Sequence, residues 1–268
     1  MDQGLLALWS RLRRDRPLKH FIRSEDPSCP VIGLEDEYAP GFVDPLHRHS
    51  RDQLLYASAG VMSVTTVKAS YVIPPQRAIW VPRNVAHEVS CRGHVSLRTL
   101  YFAEAQTGTE CRVIEVTDLL KALIVEVAHL GSAFEVVGRN AHLINLLLAE
   151  LGSMPSAPFR TPMPQDYRLL RVCRTIISDP AGHHQLDELA ALAGMGRRTF
   201  TRAFRVETGM SMAIWRQQVR LMEALSLLAN GRSITAVAFD VGYDSPSAFT
   251  SMFHRAFGVP PSQYQLRC

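Results

Sequence analysis

The sequence predicts a multidomain α+β protein, in which an N-terminal β-barrel and the helices after it precede an all-helical C-terminal domain. Three observations lead to this prediction. Short apolar runs separated by turn residues fill the first part of the chain, a proline-rich stretch follows two helical patterns, and one short helical pattern occurs twice near the end. With 268 residues, the chain is long enough for two domains that each bury a core.

The strand prediction rests on short runs rich in β-branched and aromatic residues. Gly, Pro, Asn or Arg-Gly turns separate these runs, at a spacing typical of a sandwich or barrel. The clearest runs are 53–57, 61–67, 78–81, 88–91 and 95–102. Tyr56, Trp80 and Tyr101 fall within them and are candidates for aromatic pocket walls or for plain core.

Two helices are predicted after the strands, over 117–130 and 136–151. The second is apolar on more than one face, so it needs a packing partner on each side. Core packing under the barrel and a dimer seam are both open interpretations. Its apolar residues are Leu143, Ile144, Leu146, Leu147, Leu148 and Leu151.

A linker is predicted over 152–164, which contains four prolines in 13 residues. Proline lacks a backbone donor and blocks helix formation, so this stretch is expected to be extended and to lie on the surface. The linker divides the chain into an N-terminal domain, 1–151, and a C-terminal domain, 165–268.

The C-terminal domain contains one pattern twice. Each copy has a short helix pattern, a glycine, and a second helix with two phenylalanines at i, i+4 spacing. A glycine can close a helix in the left-handed conformation. The corresponding residues are Ala190 and Ala238, Gly194 and Gly242, Phe200 and Phe249, Phe204 and Phe253, and Gly209 and Gly258. The pattern predicts two helix-turn-helix units, at about 186–207 and 234–257, joined by a long helix over 212–229.

The segment 168–265 resembles the DNA-binding domain of AraC/XylS-type transcription regulators. The resemblance is closest over 248–264, including its Gly258-x-Pro260-Pro261-x-x-Tyr264 end. It implies two rigidly held units that read successive major-groove faces of double-stranded promoter DNA. The residues that it implies for DNA binding are Arg198, Thr201, Arg202 and Arg205 in the first unit and Ser247, Thr250, Ser251 and His254 in the second.

Charge is distributed in agreement with this resemblance. From residue 165 onward there are 12 arginines, no lysines and eight acidic residues, whereas basic and acidic residues balance before it. The excess of positive charge therefore lies in the part that would face phosphates.

A second resemblance involves the histidines of the strand region. The spacing from Gly41 through His47-x-His49 and Gln53 to Gly60, followed by Pro82 and His87, resembles the two motifs of the cupin barrel. Gln53 stands where the metal-binding form usually has Glu, and Asn84 stands where it has Gly. Residues two apart in a strand share a face, so His47 and His49 are both expected to point into the barrel.

Three interpretations of His47, His49, Gln53 and His87 are open. They could bind a divalent transition metal, since three imidazoles and an oxygen suit Zn²⁺, Fe²⁺, Ni²⁺ or Cu²⁺. They could form a metal-free polar pocket for an organic effector, or a structural cluster. Cys91 shares the strand parity of His87 and is expected to be a buried thiol, with a role at the site as the alternative.

Two classes of function follow. The first is a sequence-specific DNA-binding transcription regulator whose barrel senses a small molecule or metal. The second is a metal-dependent cupin enzyme with an accessory DNA-binding domain, but no acid–base set accompanies His47 and His87. For the regulator we expect a small-molecule effector, a homodimer, RNA polymerase as a partner if it activates, and a signal that crosses the linker or the dimer helices.

The remaining features favour a cytoplasmic location. Five widely spaced cysteines without a CxxC pair indicate reduced thiols, and no apolar run approaches the length of a membrane span. The N-terminus, with apolar residues before a basic stretch at 11–16, has the reverse order of a signal peptide and is expected to form an amphipathic helix or arm.

Overall fold

The computed structural model describes residues 30–91, 93–104, 108–132, 134–157 and 160–265. The predicted N-terminal helix or arm lies outside the described residues, as do Cys29 and Cys268. No helix in the described ranges is both long and apolar enough to cross a membrane.

The N-terminal domain contains two antiparallel sheets. The first has the strand order β1-β8-β3-β6-β9-β10, and the second has the order β11-β5-β4-β7-β2. The strands are β1 (Val31–Tyr38), β2 (Val43–His47), β3 (Asp52–Ala59), β4 (Met62–Thr66), β5 (Ala69–Ile73), β6 (Arg77–Val81), β7 (His87–Cys91), β8 (Val95–Phe102), β9 (Arg112–Glu115), β10 (Ser156–Ala157) and β11 (Arg160–Pro162). The predicted β domain is thus confirmed, and its two sheets have the arrangement of a cupin-like barrel.

The two sheets differ in what covers their outer faces. Strands β4, β5 and β7 alternate strictly between buried and half-buried residues, so only their inner face is fully buried. Strand β3 is buried on both faces over most of its length, since helices cover the outside of the first sheet. The barrel interior therefore lies between the inner faces, and the helical layer lies behind the first sheet.

The helices of this layer are α1 (Asp118–Leu130) and α2 (Gly138–Ser153), close to the predicted bounds. Gly33 in β1 allows the close approach of α1, because a Cβ there would lie 2.5 Å from the carbonyl oxygen of Val127. In α2, Ile144 and Leu147 are buried in the same core, whereas Leu146 is 43% exposed. Helix α2 thus supplies core on one side and an apolar residue to the surface on the other.

The predicted linker is extended, but it is not a free surface segment. Strand β10 pairs with β9 at the edge of the first sheet, and β11 pairs with β5 at the edge of the second. Thr161 and Met163 are buried, at 3% and 7% exposure. The expectation of a surface position was therefore wrong for this half of the linker, because β-pairing satisfies its backbone while the C-terminal domain covers its side chains.

The C-terminal domain is all-helical, as predicted. Its helices are α3 (Tyr167–Ser178), α4 (Leu186–Leu192), α5 (Arg197–Thr208), α6 (Met212–Ala229), α7 (Ile234–Asp240), α8 (Pro246–Phe257) and α9 (Pro261–Gln265). The linking helix α6 has the predicted bounds. Gly194 and Gly242 follow the first helix of each unit with φ of 65° and 80°, the left-handed conformation that closes a helix.

Each unit has its own aromatic core. Phe200 and Phe204 are fully buried in the first unit, and Phe249 and Phe253 are fully buried in the second. The core of the first unit includes Trp215 of α6. The core of the second unit is continuous with the apolar cluster of the barrel. Helix α6 also packs against β5 and β11, so the two domains share an interface.

Candidate DNA-binding surface and barrel site

The outward face of α5 presents the polar residues that the sequence predicts for the first unit. The inner face is fixed by Phe200 and Phe204, so positions one or two residues away from them point outward. The residues on this face, Arg198, Thr201, Arg202 and Arg205, are all exposed. Three guanidinium groups on one helix face can donate to guanine acceptors or to phosphates.

The second unit presents a different surface on the same scaffold. Helix α8 begins after Ser245, whose hydroxyl accepts a hydrogen bond from the backbone N–H of Ala248 at 3.2 Å. Its predicted DNA-binding residues, Ser247, Thr250, Ser251 and His254, are exposed except for Thr250, which is half-buried. This face offers hydroxyls and an imidazole, without an arginine among these four positions.

Three histidines converge inside the barrel, at the end where β2 and β7 pair. His47 ends β2 and is the cross-strand partner of His87, which begins β7. His49 lies beyond the end of β2, in the following loop. The prediction that His47 and His49 share a strand face was therefore wrong in its reason, since the strand ends at His47. The loop still brings His49 to the cluster, which we call the triad.

The geometry of the triad is compact. The ring centroids of His47 and His87 are 4.4 Å apart, those of His49 and His87 are 5.2 Å apart, and those of His47 and His49 are 6.1 Å apart. One ligand nitrogen from each ring lies within 4.8 Å of the other two. The triad is thus close enough for its members to contact one small ligand or ion.

Backbone carbonyl groups set the orientation of each ring. The Nδ1 atoms lie 2.8 Å from the carbonyl oxygen of Pro45 for His47, 2.6 Å from that of Arg51 for His49, and 2.9 Å from that of Val85 for His87. A carbonyl oxygen can only accept, so the Nδ1 atom of each ring donates to it. The Nε2 lone pair of neutral His87 is therefore left for another partner, whereas Nε2 of His49 faces the Gln53 amide oxygen.

Burial favours the neutral form of His87 and of His49. Burial, with a smaller contribution from nearby His47, lowers the pKa of His87 to about 3. Burial also lowers the pKa of His49. His87 is fully buried, and its Nε2 atom has no hydrogen-bond partner among the described residues. A buried lone pair without a donor is an observation of this structure that points to a ligand.

Gln53 approaches the triad from the opposite sheet. Its side-chain amide lies 2.8 Å from His49 Nε2 and 3.0 Å from the Tyr101 hydroxyl. The Gln53 amide oxygen accepts from His49 Nε2, and the amide nitrogen donates to the Tyr101 hydroxyl. Gln53 thus contacts Nε2 of His49, while Nε2 of His87 has no hydrogen-bond partner among the described residues.

Strand parity separates the other candidate residues. Tyr101 pairs with Gln53 across β8 and β3, and its ring lies 5.1 Å from His49 in an edge-on arrangement. Tyr56 and Trp80 point the other way, into the core beneath α1 and α2. They are core residues and not pocket walls, because Tyr56 lies an odd number of positions from Gln53 in the same strand.

Cys91 is a buried core thiol, and Asp44 is a residue that the sequence motifs did not indicate. Burial raises the pKa of Cys91 to about 11, which keeps the thiol protonated at neutral pH. A carboxylate oxygen of Asp44 lies 3.8 Å from His47 Nδ1, and the side chain is nearly buried. The register shift between Asp44 and His47 brings this carboxylate to the triad. An irregular strand gives no periodic signal by which the sequence could reveal it.

The residues of the triad fit a transition-metal ion. Three imidazoles whose Nδ1 atoms donate to backbone carbonyl groups form the donor set and second-sphere pattern of such sites. Nitrogens bound to one tetrahedral ion lie roughly 3.4 Å apart, so a small inward movement from the present spacing suffices. The lone pair of His87 Nε2 can equally accept a hydrogen bond from an organic ligand.

Comparison with known proteins agrees with both halves of the molecule. A Helix-turn-helix domain family model matches residues 189–267, and a Cupin domain model matches residues 34–102. The HTH-type transcriptional regulator NimR of Escherichia coli is 29% identical over 225 residues, which are 83% of this chain and 82% of NimR. RipA of Corynebacterium glutamicum, also an HTH-type transcriptional regulator, is 37% identical over 103 residues, which are 38% of this chain and 31% of RipA. Among solved structures, ToxT of Vibrio cholerae gives a TM-score of 0.38 at 12% identity, over 88% of this chain and 95% of ToxT.

A cupin-like barrel followed by two helix-turn-helix units defines a DNA-binding transcription regulator with a ligand-sensing domain. The relatives that match over most or part of the chain are transcription regulators and not enzymes. The match of residues 189–267 to a helix-turn-helix domain and of residues 34–102 to a cupin domain agrees with the resemblance to AraC/XylS-type transcription regulators.

Proposed function

We propose that the triad is the effector site of this regulator and that it binds a divalent transition metal through His47, His49 and His87. The observation that carries this proposal is the buried Nε2 lone pair of His87, which has no hydrogen-bond donor among the described residues. A metal ion bound by all three rings supplies a partner for that atom.

Gln53 is expected to determine how tightly the triad binds a metal. A metal that binds His49 Nε2 replaces the hydrogen bond from this atom to the Gln53 amide oxygen, and the same oxygen can then face the ion. Gln53 is neutral, so a site with three imidazoles and one amide keeps the full charge of the cation. We therefore expect weaker binding than with a carboxylate at this position, and a reversible response suits a sensor.

The test of this proposal uses the purified full-length chain and Zn²⁺ as the probe. We expect one Zn²⁺ per chain by isothermal titration calorimetry after dialysis against a chelator. The double variant His47→Ala, His49→Ala is expected to lose binding by more than 100-fold, because removal of two of three ligands leaves no chelate. His129→Ala is the matched control, since its side chain is 81% exposed and lies outside the triad.

The outcomes separate the alternatives. Stoichiometric Zn²⁺ in the wild type and the His129 variant, with none in the double variant, supports the metal site. Absence of Zn²⁺ binding to the wild type contradicts it and leaves the metal-free pocket, in which the same four residues contact an organic effector. Equal Zn²⁺ binding by the double variant places the metal elsewhere on the chain.

We further propose that the regulator works as a homodimer in the cytoplasm and contacts RNA polymerase if it activates. Support for a dimer comes from α2, where Leu146 borders a groove lined also by Gly138, Arg139, His142 and Leu143. Val137, at 63% exposure, precedes the same helix. Apolar residues grouped at one exposed helix face mark an interaction surface.

Sedimentation velocity tests the dimer. Leu146→Lys is expected to convert a dimer to a monomer, because a lysine cannot be buried in an apolar seam without a partner. Val43→Lys is the control, since Val43 is similarly exposed, at 49%, but lies in β2 of the barrel. A monomeric wild type, or a dimer that survives Leu146→Lys, contradicts the seam.

A further inference from the structure

The turn between β4 and β5 lies directly next to the triad. Thr66, the last residue of β4, is the cross-strand partner of His87. Its hydroxyl accepts hydrogen bonds from the backbone N–H groups of Lys68 and Ala69 at 3.2 and 3.1 Å and donates to the Ala69 carbonyl at 3.0 Å. The shape of this turn is therefore fixed by a residue that is paired with a triad member.

The same turn contacts the segment that connects the domains. The backbone N–H of Met163 donates to the Lys68 carbonyl at 2.9 Å, and the side-chain amide of Gln165 donates to the Val67 carbonyl at 3.1 Å. The backbone N–H of Gln165 also donates to the Glu207 carboxylate at 2.7 Å. Glu207 belongs to the last turn of α5, the recognition helix of the first unit. One residue thus contacts both the barrel turn and the recognition helix.

Trp215 makes a second connection, and this one is fully buried. Its indole N–H donates to the carbonyl of Pro162 at 2.7 Å. Pro162 is the last residue of β11 and pairs with Ala69 of β5. The indole ring also packs edge-on against Phe204, with ring centroids 5.8 Å apart. Trp215 therefore joins the edge strand of the barrel to the inner face of α5.

We propose that the β4–β5 turn and Trp215 transmit occupancy of the triad to the recognition helix of the first unit. This inference rests on the proposed role of the triad as the effector site. A ligand changes DNA affinity only if it binds one arrangement of the protein better than another. Since β11 is a paired strand whose carbonyl holds Trp215, the connecting segment acts as a fixed contact and not as a flexible tether. Trp215 is a positioning residue, because it touches neither the triad nor the exposed face of α5.

The variant Trp215→Phe tests this proposal in the full-length chain. It retains an aromatic ring in the core and removes the donor to Pro162. Trp80→Phe is a matched control, since Trp80 is equally buried and its indole N–H has no hydrogen-bond partner in the described part of the chain. The readout is amide hydrogen exchange of the peptide that contains α5, measured with chelator and with Zn²⁺.

We expect Zn²⁺ to slow exchange in this peptide by about fivefold or more in the wild type and in Trp80→Phe. Trp215→Phe should bind Zn²⁺ with unchanged affinity by calorimetry but lose the difference between the two states. A purely structural role of Trp215 would instead speed exchange equally with and without Zn²⁺. A Trp215→Phe chain that retains the full Zn²⁺-dependent difference overturns the proposal.

A second arm needs no metal and separates this proposal from that of the metal site. The substitution His87→Ala perturbs the triad directly and is made alone and together with Trp215→Phe. If the His87→Ala chain does not fold, His47→Ala is used in its place. We expect the triad variant to change exchange in α5 only when Trp215 is present. Additive effects of the two substitutions overturn the coupling whatever calorimetry shows for Zn²⁺. Absence of Zn²⁺ binding with non-additive effects rejects the metal alone.

Discussion

The two helix-turn-helix units share one scaffold and differ in the surface that they present. Their buried aromatic pairs, Phe200 with Phe204 and Phe249 with Phe253, lie at equivalent positions and are fully buried in both. The outward positions differ at three places out of four, with arginine, arginine and arginine in the first unit against serine, serine and histidine in the second. The comparison shows that the apolar pattern fixes the scaffold, while the outward face is free to set what each unit reads.

Guanidinium groups and hydroxyls form different kinds of hydrogen bond with DNA. Arginine can donate two hydrogen bonds to the O6 and N7 atoms of guanine, which discriminates among bases, whereas serine and threonine bond to several bases or to phosphates without strong preference. We therefore expect the first unit to dominate base readout and the second unit to position the domain.

Because the two scaffolds are equivalent, truncation of a buried phenylalanine in either core should lower the stability of the protein by the same amount. Phe204→Ala and Phe253→Ala should each lower the free energy of unfolding by about 3–5 kcal/mol, because each removes a fully buried aromatic ring. Denaturant unfolding of the two full-length variants measures this. Losses that differ by more than about 2 kcal/mol would show that the two cores are not equivalent, despite their matched sequence positions.

Substitution of the turn glycines is expected to destabilise the two units by different amounts. Gly194→Ala should cost about 1–2 kcal/mol from the left-handed backbone alone, since nothing lies near the added Cβ. Gly242→Ala should cost more, because its Cβ would lie 2.9 Å from the Cα of Ala181, a backbone atom that cannot turn aside. Thermal unfolding compares the two variants. Equal losses would mean that the chain around Ala181 moves freely.

Loss of one arginine should affect DNA binding more than loss of the equivalent serine. Residues 202 and 251 occupy the same place relative to the phenylalanine pairs. With a binding site selected from random duplexes, Arg202→Ala should cost about 1–3 kcal/mol and relax specificity at one base pair. Ser251→Ala should change affinity by less than about 1 kcal/mol.

Single-base substitutions in that selected site locate the two effects. Stronger penalties in the half bound by the second unit would contradict the division between readout and positioning. A uniform loss with Arg202→Ala on all sequences, with only the salt dependence altered, would make Arg202 a phosphate contact.

The sequence predicts those features of the structure that depend on contacts between residues close together in the chain. The repeat, the linking helix and the buried phenylalanines follow from local periodicity, and the structure has them where the pattern predicts. Strand alternation also predicts that Tyr56 points away from the barrel interior, because it lies three positions from Gln53 in β3. Such features depend on neighbours within one element, so a single sequence contains them.

The features that the sequence did not predict depend on distant parts of the chain. The resemblance to the cupin motifs predicted that His49 and Gln53 join the other two histidines, but strand alternation could not, since His49 lies in a loop and Gln53 in the opposite sheet. The pairing of β11 with β5, and the hydrogen bond from Trp215 to Pro162, join residues far apart in sequence. No periodic pattern marks a strand of three residues in a proline-rich segment.

The smallest effect is expected from placing an arginine in the second unit at the position equivalent to Arg202 of the first unit. Ser251→Arg places a guanidinium at the position equivalent to Arg202, on an exposed part of α8. Because the selected site has not been matched to this side chain, the new arginine should contact phosphate first, and affinity should rise on all duplexes alike. We expect the slope of log affinity against log salt to steepen by about 1, with most of the gain lost at high salt. Fluorescence anisotropy on specific and scrambled duplexes measures both quantities. A gain confined to the specific duplex would show that α8 already lies against base edges, and the difference between the two units would then reside in their side chains and not in how they dock.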